Sequence, residues 1–231
     1  MLVNYLKNKQ KKLNEKNNPF YTNGGLQVFF KDPIINDDVD AEDVVSKVES
    51  LIPSHLRAEI DMIVVGEFEE FKDRNINAAF KDGAVYISNI QDNNNDMVDD
   101  LIHEISHSLE QPYGYEIYGD QKIQKEFLRK RRYMHDILWK SGYKAPLSFY
   151  LNTEFDQEFD DFLYKQVGYD KLSSLIMGLF ISPYAATSLR EYWATGFTDF
   201  YLYTDHKTLG KVSPELYKKI TEIQREDFLD N

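Results

Sequence analysis

The chain has 231 residues, 42% of them hydrophobic and 14% aromatic, enough to bury a sizeable core in one domain or in two lobes facing a cleft. Asp and Glu outnumber Lys and Arg by 39 to 27, and a net charge of −12 argues against nucleic-acid binding, because phosphate contacts need basic surface. The absence of cysteine excludes disulfides, thiolate metal ligands and a cysteine nucleophile, leaving His and carboxylate as the strong ligands for zinc.

Residues 1–18 carry Lys7, Lys9, Lys11, Lys12 and Lys16 around Leu2, Leu6 and Leu13, the pattern of a short amphipathic helix or a loose basic leader. No apolar run there is long enough for a signal sequence or a membrane span, so the cytoplasm is the default expectation. After the Asn23-Gly24-Gly25 turn, residues 26–30 read as a strand and residues 40–50 as a helix. Val44, Val45, Val48, Leu51 and Ile52 make its apolar face, and Pro53 ends it. Two β-branched runs, 60–65 and 85–90, are predicted strands, with an Asp82-Gly83 turn just before the second. Val98, Leu101, Ile102, Ile105 and Leu109 then repeat at helical spacing, with Asn94, Asn95 and Asp96 as candidate caps and Pro112 beyond the end. This order predicts an N-terminal lobe over residues 19–111.

Residues 112–231 read as a helical lobe rich in aromatics. Ile123, Phe127, Met134 and Leu138 line one helix that Gly142 can close, and its basic run Arg129, Lys130, Arg131, Arg132 reads as a solvated face. Thr153 is a candidate cap for a helix carrying Phe155, Phe159, Phe162 and Leu163, and Asp170 for one running through Leu175 and Phe180. Residues 181–186 read as a loop, Thr187 or Ser188 begins the helix of Glu191, and Ser213-Pro214-Glu215 opens a last helix with Leu216, Ile220 and Ile223 inward. The sequence has no internal repeat, low-complexity tract or Gly-rich phosphate loop.

The chemistry is concentrated in His103-Glu104-Ile105-Ser106-His107, an HExxH pentapeptide inside the apolar-periodic helix. Histidines four apart on a helix project from one face and can share a zinc ion, with Glu104 beside the open coordination position as general base. A helix that buried both without a metal would need other partners for four ring nitrogens. A catalytic zinc takes three protein ligands and a water, so a third is required. The metzincin extension is excluded, since Ser108-Leu109-Glu110-Gln111-Pro112-Tyr113 supplies neither its Gly nor its His. Glu191 is the best candidate, a carboxylate in the largely apolar run Ser-Leu-Arg-Glu-Tyr-Trp-Ala-Thr-Gly-Phe; it is also three residues after Ser188, in capping-box spacing. His135 and His206, set among charged residues, are weaker candidates.

The HExxH helix, the segment Glu191-Tyr192-Trp193-Ala194-Thr195-Gly196-Phe197 and a tyrosine seven residues before that glutamate resemble the catalytic domain of anthrax lethal factor and the Pro-Pro endopeptidases. The resemblance runs in patches from about Val85 to the C-terminal helix. It implies an α+β zincin-like fold in one catalytic domain: a small mixed sheet and active-site helix in the N-terminal lobe, with the last strand before that helix at the cleft where it can pair with an extended substrate, then a mainly helical C-terminal lobe with an insertion over about 121–180. It also implies one Zn2+ per chain on His103, His107 and Glu191, with Tyr184 hydrogen-bonding the developing oxyanion. Thr195 stands where the family usually has a second glutamate supporting a zinc-ligating histidine, so that support must come from elsewhere. The expected activity is a zinc-dependent endopeptidase acting on a protein or peptide substrate, in which Glu104 takes a proton from water and passes it to the leaving amine. The alternative expectation is a catalytically silent zincin-fold subunit of a larger assembly such as a phage particle; a third is a protease delivered into a target cell.

Overall fold

A computed structural model describes residues 17–74 and 76–225, and the chain divides into two compact units, one ending at Leu109 and the other starting at Glu110. The expected basic leader falls, except for its last two residues, outside the described residues.

The first unit is built on a five-stranded sheet: β1 (Phe20–Tyr21), β2 (Gln27–Phe30), β3 (Met62–Gly66), β4 (Ala78–Lys81) and β5 (Ala84–Ser88), in the order β1-β2-β3-β5-β4. The inner strands β2, β3 and β5 are parallel, and β1 and β4 run antiparallel at the edges. Parallel neighbours need a crossover, and α1 (Ala41–Leu51) lies between β2 and β3 in sequence. Asp40 starts α1 by accepting the amides of Glu42 and Asp43. A 3-10 turn (Ser54–Arg57), the short α2 (Glu69–Arg74) and the long α3 (Asn94–Ser108) are the unit's other described helical elements. The core joins Val28, Ile63, Val65, Val85 and Ile87 of the sheet to Val44, Val45 and Val48 of α1 and Met97, Val98, Leu101 and Ile102 of α3, all buried.

One expectation is overturned here. β5, the last strand before α3, is hydrogen-bonded on both sides, to β3 and to β4, so it has no open edge for a substrate. The edge is β4, joined to β5 by Asp82 and Gly83 at positive φ (51° and 78°) in a two-residue hairpin turn. Its sequence, Ala-Ala-Phe-Lys, is poor in β-branched residues and gave no strand signal.

The second unit is helical: α4 (Gly114–Tyr118), α5 (Lys122–Lys140), α6 (Leu147–Leu151), α7 (Gln157–Asp161), α8 (Tyr169–Leu175), α9 (Leu189–Leu202), α10 (Lys207–Val212) and α11 (Pro214–Ile223). A π-helical turn spans Phe162–Val167, and Tyr184–Ala186, expected as loop, is a 3-10 turn. The inner stripe of α5, with Ile123, Phe127, Met134 and Leu138 wholly buried, shares a core with Trp193 and Phe197 of α9 and Leu216, Ile220 and Ile223 of α11. Gly196 lets α11 approach α9, since a Cβ there would stand 2.2 Å from Leu216 Cδ2. Asp156, and not Thr153, caps α7 by accepting Phe159 N, and α8 stops at Leu175 short of Phe180.

The basic run of α5 departs most from expectation. Arg129 and Arg132 are exposed, but Lys130 and Arg131 are only 4% and 0% exposed, because positions 130 and 131 fall on the same inward stripe as Phe127 and Met134. Among the described residues no helix is long and apolar enough to cross a membrane.

Candidate metal centre

Helix α3 is started by Asn93, one residue ahead of the expected caps, whose Oδ1 accepts Asn95 N at 2.9 Å and Asp96 N at 3.1 Å. From there the helical repeat turns Leu101, Ile102 and Ile105 into the core and leaves His103 and His107 half-buried, one turn apart, their ring centroids 5.0 Å from each other. The two small polar side chains of this turn close onto the helix itself: Ser106 Oγ donates to His103 O at 2.6 Å and Ser108 Oγ to Ile105 O at 2.7 Å. Glu104, between the histidines, is 8% exposed, and its Oε2 accepts the backbone amide of Phe80, on the edge strand β4, at 2.8 Å. A buried carboxylate needs such a donor, and this one fixes the direction of the side chain.

In the second unit, Ser188 is the N-cap of α9 and accepts Glu191 N at 3.1 Å, so Glu191 occupies the first turn. Tyr184 opens the 3-10 turn just ahead, where its carbonyl accepts both Thr187 N (3.0 Å) and Thr187 Oγ1 (2.8 Å). The turn is fastened from α5: Arg131 Nη1 donates to Ala186 O at 2.6 Å and Thr187 O at 3.1 Å, and its Nη2 to Phe149 O. His103, His107 and Glu191 each offer a ligand atom, and these atoms lie within 4.8 Å of one another, a group that could hold a metal ion. The weaker candidates His135 and His206 are not in that group. His135 sits against Tyr150 and Trp139, and His206 is stacked on Phe200 with centroids 4.3 Å apart.

The charges around the donors include several that the sequence did not single out. Asp99, one turn before His103 on α3, is exposed, yet partial desolvation pushes its carboxyl up and the His103 imidazole pulls it back, so the two are electrostatic neighbours. The i,i+4 spacing of Asp99 to His103 was the available signal. Asp100, which accepts Gln91 Nε2 at 3.2 Å, is raised by burial to about 7. Near Glu191, Arg190 Nε donates to Glu110 Oε2 at 2.6 Å, and the buried Tyr118 hydroxyl, raised by burial and by Glu110, also feels Glu191. Tyr169 OH donates to Asp160 Oδ1 at 3.0 Å; burial and Asp160 raise it, with smaller contributions from Tyr184 and Glu191. Both Asp160 and Tyr169 come from the stretch expected as an insertion, where no motif marked them.

Comparison of the chain with protein-family models, with curated proteins and with solved structures found no match.

Proposed function

We propose that the chain is a zinc-dependent endopeptidase of zincin-like fold, similar to the lethal factor and Pro-Pro endopeptidase group. The observation that carries this reading is the convergence of His103, His107 and Glu191, donors from a helical HExxH and from a distant helix, within 4.8 Å. Two imidazoles and one carboxylate suit a catalytic zinc, which keeps a fourth position for water, whereas a closed structural site takes four protein ligands. With no cysteine in the chain, a thiolate site is not an alternative. Zinc held there supplies a Lewis acid that polarises the scissile carbonyl and acidifies the attacking water.

The chain's own residues do the rest. Glu104, its Oε2 held by Phe80 N–H, takes the water's proton on Oε1 and hands it to the departing amine. Strand β4 offers its outer edge to an extended peptide, so the backbone of the substrate lies beside the strand that also orients Glu104. Tyr184, 36% exposed on a fastened turn, donates its hydroxyl to the carbonyl oxygen as negative charge develops there.

The test is digestion of a diverse peptide library read by mass spectrometry, with chelator-treated protein, Glu104→Gln and Tyr184→Phe in parallel. Cuts should disappear with chelator, fall by about 10²–10⁴-fold in Glu104→Gln, and fall in kcat with zinc content unchanged in Tyr184→Phe. Unchanged turnover in Tyr184→Phe removes that residue from the mechanism. A folded, zinc-loaded chain that cuts nothing replaces the enzyme by a silent zincin subunit.

A further inference from the structure

Lys130 is 4% exposed, and a buried ammonium is costly unless its hydrogens are engaged. Its Nζ donates to Tyr192 OH at 2.6 Å and to Ser213 Oγ at 2.7 Å, and lies 4.7 Å from the centre of the Tyr192 ring. The Tyr192 hydroxyl donates in turn to Glu126 Oε1 at 2.7 Å. Glu126 Oε2 accepts Glu215 N at 3.0 Å, at the start of α11. One chain of charge-assisted bonds therefore ties α5, α9 and α11 at a single level.

That level is the first turn of α9, and Tyr192 follows Glu191 directly. Successive side chains on a helix diverge by about 100°, so a Tyr192 hydroxyl fixed on the inner side sets the rotation of this turn and the direction in which Glu191 projects. Apolar residues of equal volume would pack α9 at less desolvation cost, but would not select one rotation in the same way. We propose that the Lys130–Tyr192–Glu126 network is a positioning device for Glu191, holding its carboxylate in the orientation that receives the metal. This rests on the metal reading above.

The test is Zn2+ affinity, measured by competition with a chromophoric chelator on the full chain, with folding confirmed by near-ultraviolet circular dichroism at the same temperature. Tyr192→Phe keeps the ring and cuts the link to α9, while Lys130 retains Ser213 and Glu126 retains the amide of Glu215. Affinity should fall about 10–100-fold. Leu138→Ala, a buried leucine near the other end of α5, should lower the melting temperature and leave zinc affinity unchanged. Lys130→Met should repeat the Tyr192→Phe loss; if it does not fold, Tyr192→Phe alone carries the decision. Wild-type affinity in Tyr192→Phe, or an equal loss in Leu138→Ala, overturns the inference while the metal reading stands. A wild-type chain that takes no Zn2+ overturns both.

Discussion

Helices α3 and α9 carry the candidate ligands, and they are held by different materials. Most of α3 is fixed by apolar packing: Met97, Val98, Leu101 and Ile102 are wholly buried, and an exposed Asn93 caps its start. The first turn of α9 and the 3-10 turn before it are fixed by buried polar groups: Arg131 on the carbonyls of Ala186 and Thr187, and Lys130 with Glu126 on Tyr192. Apolar packing tolerates small shifts, whereas a hydrogen-bond network holds one arrangement or loses its energy. A metal site that recruits its third ligand from a distant part of the chain gains from the second kind of support, because Glu191 has no local motif to place it.

The largest effects test this difference directly. Leu101→Ala should cost about 2–5 kcal/mol, since a leucine that is 0% exposed leaves a cavity in the α3 core. Arg131→Met should cost on the order of 3 kcal/mol, because three carbonyls lose their donor at about 1–3 kcal/mol each while removal of a buried charge, Arg131 being 0% exposed, offsets part of it. Arg131→Lys retains the charge but not the planar fork, and should recover less than half of that loss. Urea titrations of the three variants compare them on one scale. An Arg131→Met chain as stable as wild type would show that apolar packing also suffices around α9.

How far the two supports could be read in advance follows from their chemistry. The α3 support is written in the sequence as period-3.6 hydrophobes, a polar start and a proline beyond the end, and its HExxH motif is local. The support of α9 falls on positions 126, 130 and 131, which continue the inward stripe of α5 but hold Glu, Lys and Arg. A stripe defined by hydrophobicity skips such positions, and a run of four basic residues reads as solvated surface. Glu126 and Lys130 are paired with partners sixty or more residues away, such as Tyr192 and Ser213, and Arg131 with the carbonyls of Ala186 and Thr187, more than fifty away, which no local pattern couples to α5. Strand β4 escaped for another reason: the Asp82-Gly83 turn was visible, but a two-residue turn of this kind implies a strand on each side, and only the β-branched side was recognised. The edge that orients Glu104 was therefore missed although its turn was seen.

A smaller effect concerns the electrostatics of α3. Burial holds the Asp100 carboxyl at about 7, above its ordinary 3.8, so the folded chain keeps a proton that the unfolded chain releases. The sign follows: this contribution to stability is fully present below about pH 4 and is lost as the pH rises through 7. Asp100→Asn, which is neutral throughout, should be more stable than wild type by about 1–2 kcal/mol above pH 7, a figure reduced for solvent screening, with the gap closing toward pH 4. Chelator is kept in these melts, because a cation bound at His103 would itself pull the neighbouring carboxyl down. A constant gap across the pH range would mean that Asp100 titrates normally.

The smallest expected loss separates the two helices most cleanly. Asn93→Ala and Ser188→Ala each remove one N-cap, at about 1 kcal/mol apiece, so thermal melts alone will not distinguish them. Their positions differ. Asn93 precedes His103 by ten residues, nearly three helical turns, and fraying at the cap dies out before it reaches the histidines. Ser188 accepts the amide of Glu191 itself, so loss of its hydroxyl loosens the turn that carries the third donor. Zinc competition on the two variants should therefore show wild-type affinity for Asn93→Ala and a severalfold loss for Ser188→Ala. Equal affinities would mean that the network through Tyr192 holds Glu191 without its cap, which strengthens the polar support of α9 and removes Ser188 from it.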